Sequence, residues 1–220
     1  WAVGGLVDES SRGKYETFFR ELLEGYDVVQ KHSLVAEFNY KAPRQELPAP
    51  EKGSLFDMYV DFGTGKWTSF LLKIGPTAIP DGTQFHQIIV PTVDTTRNQY
   101  FMNTVISSGN HILFVGATGS GKTVSVQGML LKGFDREQYS SFSFAFSAQT
   151  THNQTQDIID SKLEKRRKGV YGPPVGKKML IFVDDLNMPT IETYGAQGPI
   201  ELLRQYLFQG GWYDRKTQEF

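Results

Sequence analysis

Cysteine is absent from all 220 residues, which excludes disulfides, zinc–thiolate centres and thiol nucleophiles. An excess of either charge is missing too. Lys and Arg total 23 against 24 Asp and Glu, a formal net charge of -1. The chain as a whole therefore lacks the basic field that draws in nucleic acid or an acidic membrane, and neither is an expected partner. No apolar run approaches the ~18 residues of a membrane span. The opening WAVGGLVDES has neither the charged start nor the apolar stretch of a secretion signal. Histidine is scarce, and His32, His86, His111 and His152 show no ligand spacing, so no histidine-held metal is expected. Repeats and low-complexity tracts are also lacking. These absences fit a soluble intracellular chain in a reducing compartment. Trp1 is not a natural start, so a piece of something longer is expected.

What is present is material for a core: 39% of residues are hydrophobic and 13% aromatic, enough for one large domain or two small ones. In KYETFFRELLEGY, Tyr15, Phe18, Phe19, Leu22, Leu23 and Tyr26 recur at helical spacing opposite Arg20, Glu21 and Glu24. The stretch KAPRQELPAPEKGS (41–54) reads as an exposed linker. Phe56, Met58, Val60 and Phe62 then alternate with Asp57, Tyr59 and Asp61, the pattern of a half-buried strand. GTGK (63–66) turns the chain toward a return strand at Trp67 and Phe70. It is followed by Trp67 and lacks an upstream glycine, so it reads as a hairpin turn, not a phosphate loop.

From about residue 86 the rhythm becomes strand–helix–strand. FHQIIVP is a short apolar stretch, and TVDTTRNQYFMNTVISSG is a helix closed by Gly109. HILFVG reads as a strand, GKTVSVQGMLLKGF as a helix apolar on most sides, and YSSFSFAFSA as a second strand. TQDIIDSKLEKRRK reads as one helix with Ile158, Ile159 and Leu163 inward and KLEKRRK as its solvated basic end. Asn153, Gln154 and Gln156 fall at its opening, as cap and surface residues. MLIFVDD is a third strand, GPIELLRQYLF a helix stopped by Gly210, and Trp212 with Tyr213 a strand of a surface hairpin. Strands alternating with helices imply an α/β fold with a parallel sheet flanked by helices.

GATGSGKT, Gly116 to Thr123, satisfies G-x-x-x-x-G-K-[ST] between an apolar run and a helix. Gly116, Ala117, Thr118, Gly119, Ser120, Gly121, Lys122, Thr123 and the following Val124 are the phosphate-binding candidates. The glycines free the backbone to turn its amides inward, and the helix start adds partial positive charge. Lys122 suits the β- and γ-phosphates of ATP or ADP, and the Thr123 hydroxyl suits Mg²⁺. In nucleoside triphosphatases of this type a neighbouring strand ends in an acid that holds the metal. Asp184, after LIFV, fits that role. Asp185 falls where a glutamate usually polarises the attacking water, and aspartate is about 1.5 Å shorter in reach. ATP binding is thus better supported than fast hydrolysis. A non-hydrolysing nucleotide module and another P-loop enzyme, such as a nucleic-acid remodeller or small-molecule kinase, remain as alternatives.

GATGSGKT, SAQTTHNQTQDIIDSKLEKRRKGVYGPP, KKMLIFVDDLNMP, YGAQGPIELLRQ and GGWYDRK together closely resemble the third AAA+ module of axonemal dynein heavy chains. The resemblance implies three parts. Residues 1–40 would be a small helical subdomain closing the preceding module, 41–85 a linker and β-hairpin, and 86–220 an AAA+ large subdomain cut before sensor 1. It implies Val90 and Pro91, in IIVPTVDTTR, as contacts to the adenine, and Lys122 with Asp185 as the catalytic pair. It also implies neighbouring modules of the same heavy chain as partners, with other dynein chains and microtubules engaged elsewhere. The expected setting is cytoplasmic and cytoskeletal, at the axoneme of a cilium or flagellum, with this module regulatory. Asn187 and Gln197 could face the nucleotide or a neighbour.

Overall fold

Residues 4–23, 47–75 and 90–220 are described by a computed structural model of the chain. They fall into two units divided after Phe101.

In the first unit the amphipathic stretch forms α1 (Arg12–Leu23). Tyr15 stacks on Phe19 and meets Phe56, while Phe18 and Leu22 stay exposed. Residues 24–46 and 76–89, which include much of the proposed linker and FHQIIVP, lie outside the described residues, as do His32 and His86. The expected hairpin is present: β1 (Met58–Asp61) pairs antiparallel with β2 (Lys66–Ser69). Asp61 shapes its turn, accepting from the Gly63 amide at 2.9 Å and the Thr64 hydroxyl at 3.1 Å. The simple in-and-out alternation does not hold. Phe62 lies in the turn and is exposed, Phe56 precedes the strand, and Tyr59 packs on Phe70 and Tyr100. Both faces of β1 are half-buried because aromatic side chains cover the one expected to be polar.

Two charged residues tie this unit together. Arg97, 5% exposed, donates to the Phe56 carbonyl at 3.2 Å and pairs with Asp94 and Asp57. On α1, Glu16 accepts from Arg20, from the Ser54 hydroxyl at 2.9 Å and from the Leu55 amide at 3.1 Å. Arg20 in turn donates to the carbonyls of Pro50 and Gly53. The end of the predicted linker is therefore anchored. Burial raises the Glu16 pKa, but bonds from Arg20, Ser54 and Leu55 outweigh it and hold the carboxyl below its ordinary value. Its stabilisation is complete above the ordinary carboxylate range and is lost as pH falls through the depressed value. Glu16→Gln, measured by hydrogen exchange at fixed neutral pH, should weaken this junction by about 1–2 kcal/mol. The Leu55 amide should then exchange roughly 5–30 times faster. Unchanged protection there would show that the carboxylate contributes nothing.

α2 (Val93–Ser107) forms as predicted, closed by Gly109 at φ 77°. In the second unit Met102 forms a buried core with Val126, Met129 and Phe134, and Phe114, Leu180 and Phe182 pack around it. α3 (Lys122–Lys132) lies against this core. β3 (Tyr139–Ala145) and β6 (Lys178–Asp184) pair in parallel, from Tyr139 opposite Lys178 to Ala145 opposite Asp184. This bears out the α/β reading. HILFVG, however, forms no strand. A strand exists by pairing, and among the described residues 111–116 enter no ladder, with Leu113 and Val115 exposed and Phe114 packed on the core.

The predicted long helix is also corrected. α4 (His152–Asp160) begins with a capping box in which Thr151 and Gln154 bond each other's backbone, and it ends at Asp160. KLEKRRK instead enters a hairpin, β4 (Glu164–Arg167) with β5 (Val170–Gly172), turning at Lys168 and Gly169. Gly169 at φ 72° supplies the left-handed residue such a tight turn requires. Gln156, expected at the surface, is 5% exposed and donates to the Tyr213 carbonyl at 2.9 Å. Trp212 and Tyr213 form no strand. They lie in irregular chain held to α4, with the Trp212 indole donating to Asp160 at 3.2 Å and Arg215 paired with Asp157. α5 (Gly198–Gln209) packs on α4 and ends at Gly210 in the left-handed region. No helix among the described residues is long and apolar enough to cross a membrane.

Candidate nucleotide site

Gly116–Gly121 form an exposed loop that runs straight into α3, whose first residues, Lys122 and Thr123, are half-buried. Gly119 and Gly121 sit at φ 80° and 77°, where a side chain would strain the backbone. Gly116 is not in that region. A Cβ there would meet only Ser120 Oγ at 3.4 Å and Lys122 Cδ at 3.6 Å, so the loop shape alone does not demand this glycine. Gly121 is the N-cap of α3 and, having no side chain, gives no cap bond. The first amides of the helix are thus left to an outside acceptor, with the helix dipole behind them.

Lys122 lies back over the loop. Its ammonium donates to the carbonyls of Gly116 at 2.8 Å and Ala117 at 2.7 Å, with Ser120 Oγ at 3.3 Å. Next to it, the Thr123 hydroxyl donates to Asp184 Oδ1 at 3.1 Å, a contact spanning 61 residues of sequence. The end of the parallel strand β6 and the first turn of α3 thereby meet at two oxygens. The same Asp184 oxygen accepts the Asp185 amide at 3.1 Å. Asp185 is exposed and turns at φ 51°, a conformation that aspartate tolerates better than most residues. Its carbonyl accepts from the Met188 amide at 2.9 Å, closing a short turn.

The site residues that the second unit brings together are the loop, Lys122, Thr123, Val124, Asp184 and Asp185. Val90 and Pro91 belong to the first unit, ahead of α2, with Val90 exposed and Pro91 half-buried. Gln197 sits against the turn that follows Asp185. Its side-chain amide donates to the Asn187 carbonyl at 3.2 Å and the Pro189 carbonyl at 2.6 Å, bracing the turn after Asp185.

These residues fit a magnesium–nucleoside phosphate. An uncapped helix start, a glycine-rich loop leading into it and an ammonium suit phosphate, and a hydroxyl beside a carboxylate suits a hard divalent cation. Among the described residues no cluster of three or more His, Asp or Glu forms a separate metal site.

Comparison with known proteins agrees with this chemistry. Residues 77–220 match the family model described as the P-loop containing dynein motor region, and residues 1–71 match the dynein heavy chain AAA lid domain. Dynein axonemal heavy chain 3 of Homo sapiens is 42% identical over 225 residues, covering 98% of this chain and 5% of that protein. Dynein axonemal heavy chain 12 of Homo sapiens is 43% identical over 218 residues, covering 98% and 7%. Dynein axonemal heavy chain 1 of Mus musculus is 38% identical over 233 residues, covering 99% and 5%. The chain thus spans only a small fraction of the length of these relatives. The strand-ending Asp184 against the first helical turn and the matching of both models over nearly the whole length lead to one conclusion: the chain belongs to the dynein heavy chain family, as a P-loop motor region preceded by a dynein AAA lid domain.

Proposed function

We propose that this chain is the third AAA+ module of an axonemal dynein heavy chain, together with the end of the second, and that it binds ATP or ADP with Mg²⁺. The observation that carries the reading is the Thr123–Asp184 contact at 3.1 Å beside the Lys122 ammonium. The loop amides and Lys122 hold phosphate, and Thr123 and Asp184 hold the metal. Bound Mg²⁺ would neutralise phosphate charge and polarise the terminal phosphoryl group. Asp185 is the carboxylate assigned to orient the attacking water. Its short side chain makes the site slow, which suits a regulatory module that gates another of the same ring. Val90 and Pro91 are assigned to the base. By this reading the whole protein is a microtubule-based ATPase motor of the axoneme, and this module's direct partners are its neighbours in the heavy chain.

A module that holds nucleotide without turning it over is the second reading, and the exposed, short Asp185 favours it. The metal assignment is tested by Asp184→Asn in the full-length heavy chain. In wild type, Mg²⁺ should tighten nucleotide at this site by roughly tenfold or more, since a divalent ion supplies charge that Asp184 anchors. In the variant the response to Mg²⁺ should vanish. An equal response in both would remove Asp184 from the metal site.

A further inference from the structure

We infer that Gln197 is a positioning residue that fixes the acidic turn after β6 and couples it to the start of α5. The inference rests on the reading of this site as one that hydrolyses ATP. Gln197 is the N-cap of α5, a position where Ser, Thr, Asp or Asn serves best, yet its side chain makes no cap bond. Its amide instead reaches back to two carbonyls, Asn187 at 3.2 Å and Pro189 at 2.6 Å. Only the NH₂ end of a glutamine can satisfy two carbonyls at once, so the orientation is dictated by the partners.

Asp185 itself is held within the turn, its carbonyl accepting from the Met188 amide at 2.9 Å and its amide donating to Asp184 Oδ1 at 3.1 Å. The remaining supports lie at the two ends. At its start the Phe146 amide donates to the Asp184 carbonyl at 3.0 Å. At its far end the Thr190 hydroxyl and amide donate to the Ala148 carbonyl at 2.7 and 3.2 Å. Between them lie Asp185, in the left-handed region, and the Asn187–Pro189 stretch that Gln197 braces. Pro189 is buried and has no N–H, so its carbonyl is its only hydrogen-bonding group. A shift of α5 therefore pulls on the backbone that aims Asp185, which makes α5 a lever on hydrolysis and not on phosphate binding.

The test uses the full-length heavy chain carrying Gln197→Ser or Gln197→Glu. Serine is a better N-cap but too short to reach the turn; glutamate keeps the length but loses the donors. Extracted nucleotide is compared with that of Lys122→Ala, whose deficit defines this site's share, and ATP-to-ADP conversion within that share is timed. Both variants should keep the full equivalent of nucleotide while conversion slows about ten- to a hundredfold, as expected for a misplaced catalytic group. Normal conversion in Gln197→Ser would show that the residue matters only as a cap and overturn the inference. Loss of the nucleotide equivalent in either variant would also overturn it, since Gln197 would then act on binding. If Lys122→Ala shows no deficit, the underlying site assignment fails. If wild type never converts ATP at this site, the assignment of binding stands and the inference about hydrolysis falls.

Discussion

Replacing Lys122 with alanine is expected to strip this site of its nucleotide while leaving the module folded. The ammonium makes three contacts, all to its own exposed loop: two carbonyls at 2.8 and 2.7 Å and the Ser120 hydroxyl. Water can replace it there, so the folding cost is small. Toward phosphate the balance differs, because a charge-assisted bond to an anion contributes about 1.5–3 kcal/mol and has no neutral substitute. Losing about 3 kcal/mol weakens affinity by roughly a hundredfold or more. The uncapped amides of α3 remain and leave only weak residual binding. The measurement is nucleotide extracted from purified full-length heavy chain, wild type against Lys122→Ala, followed by microtubule-stimulated turnover. One equivalent lost with altered stimulation marks a gating site, and one equivalent lost with normal turnover marks a structural pocket. Unchanged occupancy would sink the phosphate-loop assignment.

Asp185→Glu is expected to act in the opposite sense, raising hydrolysis at this site. Glutamate adds about 1.5 Å of reach, and correcting a misplacement of about 1 Å is worth on the order of a hundredfold in rate. In free-energy terms that is roughly 2.7 kcal/mol. The substitution also strains the backbone: Asp185 is at φ 51°, and a longer side chain without aspartate's local hydrogen bonding pays about 1–2 kcal/mol there. That strain is present in the ground state and the transition state alike, so it costs stability of the turn and not rate, and an increase of about a hundredfold is expected. ATP-to-ADP conversion in the full-length heavy chain, with Lys122→Ala as the reference for this site's share, measures it. Conversion no faster than wild type would mean that reach does not limit the site.

The residues recognised from sequence are those whose chemistry is local. A glycine-rich loop entering a helix, an apolar run ending in Asp184 and glycines stopping α2 and α5 each declare themselves within a few positions. Gln156 and Gln197 did not, because a glutamine amide donates or accepts and nothing nearby in sequence names its partner. The partners turned out to be the carbonyl of Tyr213, 57 residues away, and those of Asn187 and Pro189 on the preceding turn. KLEKRRK misled for a related reason: its Lys, Arg, Glu and Leu are good helix formers, so local preference pointed to a helix.

By itself the sequence determined the glycine-rich loop entering α3, the acidic strand end and the α/β alternation, because backbone geometry and side-chain periodicity act between near neighbours. Only the tertiary structure decided that 164–172 is a hairpin, that 111–116 joins no ladder among the described residues, and that Glu16 holds Leu55 and Gln197 holds the turn after Asp185. Strand pairing and the choice of partner for a buried polar group are settled between distant segments. Their free energy appears only when the chain has folded and those segments meet.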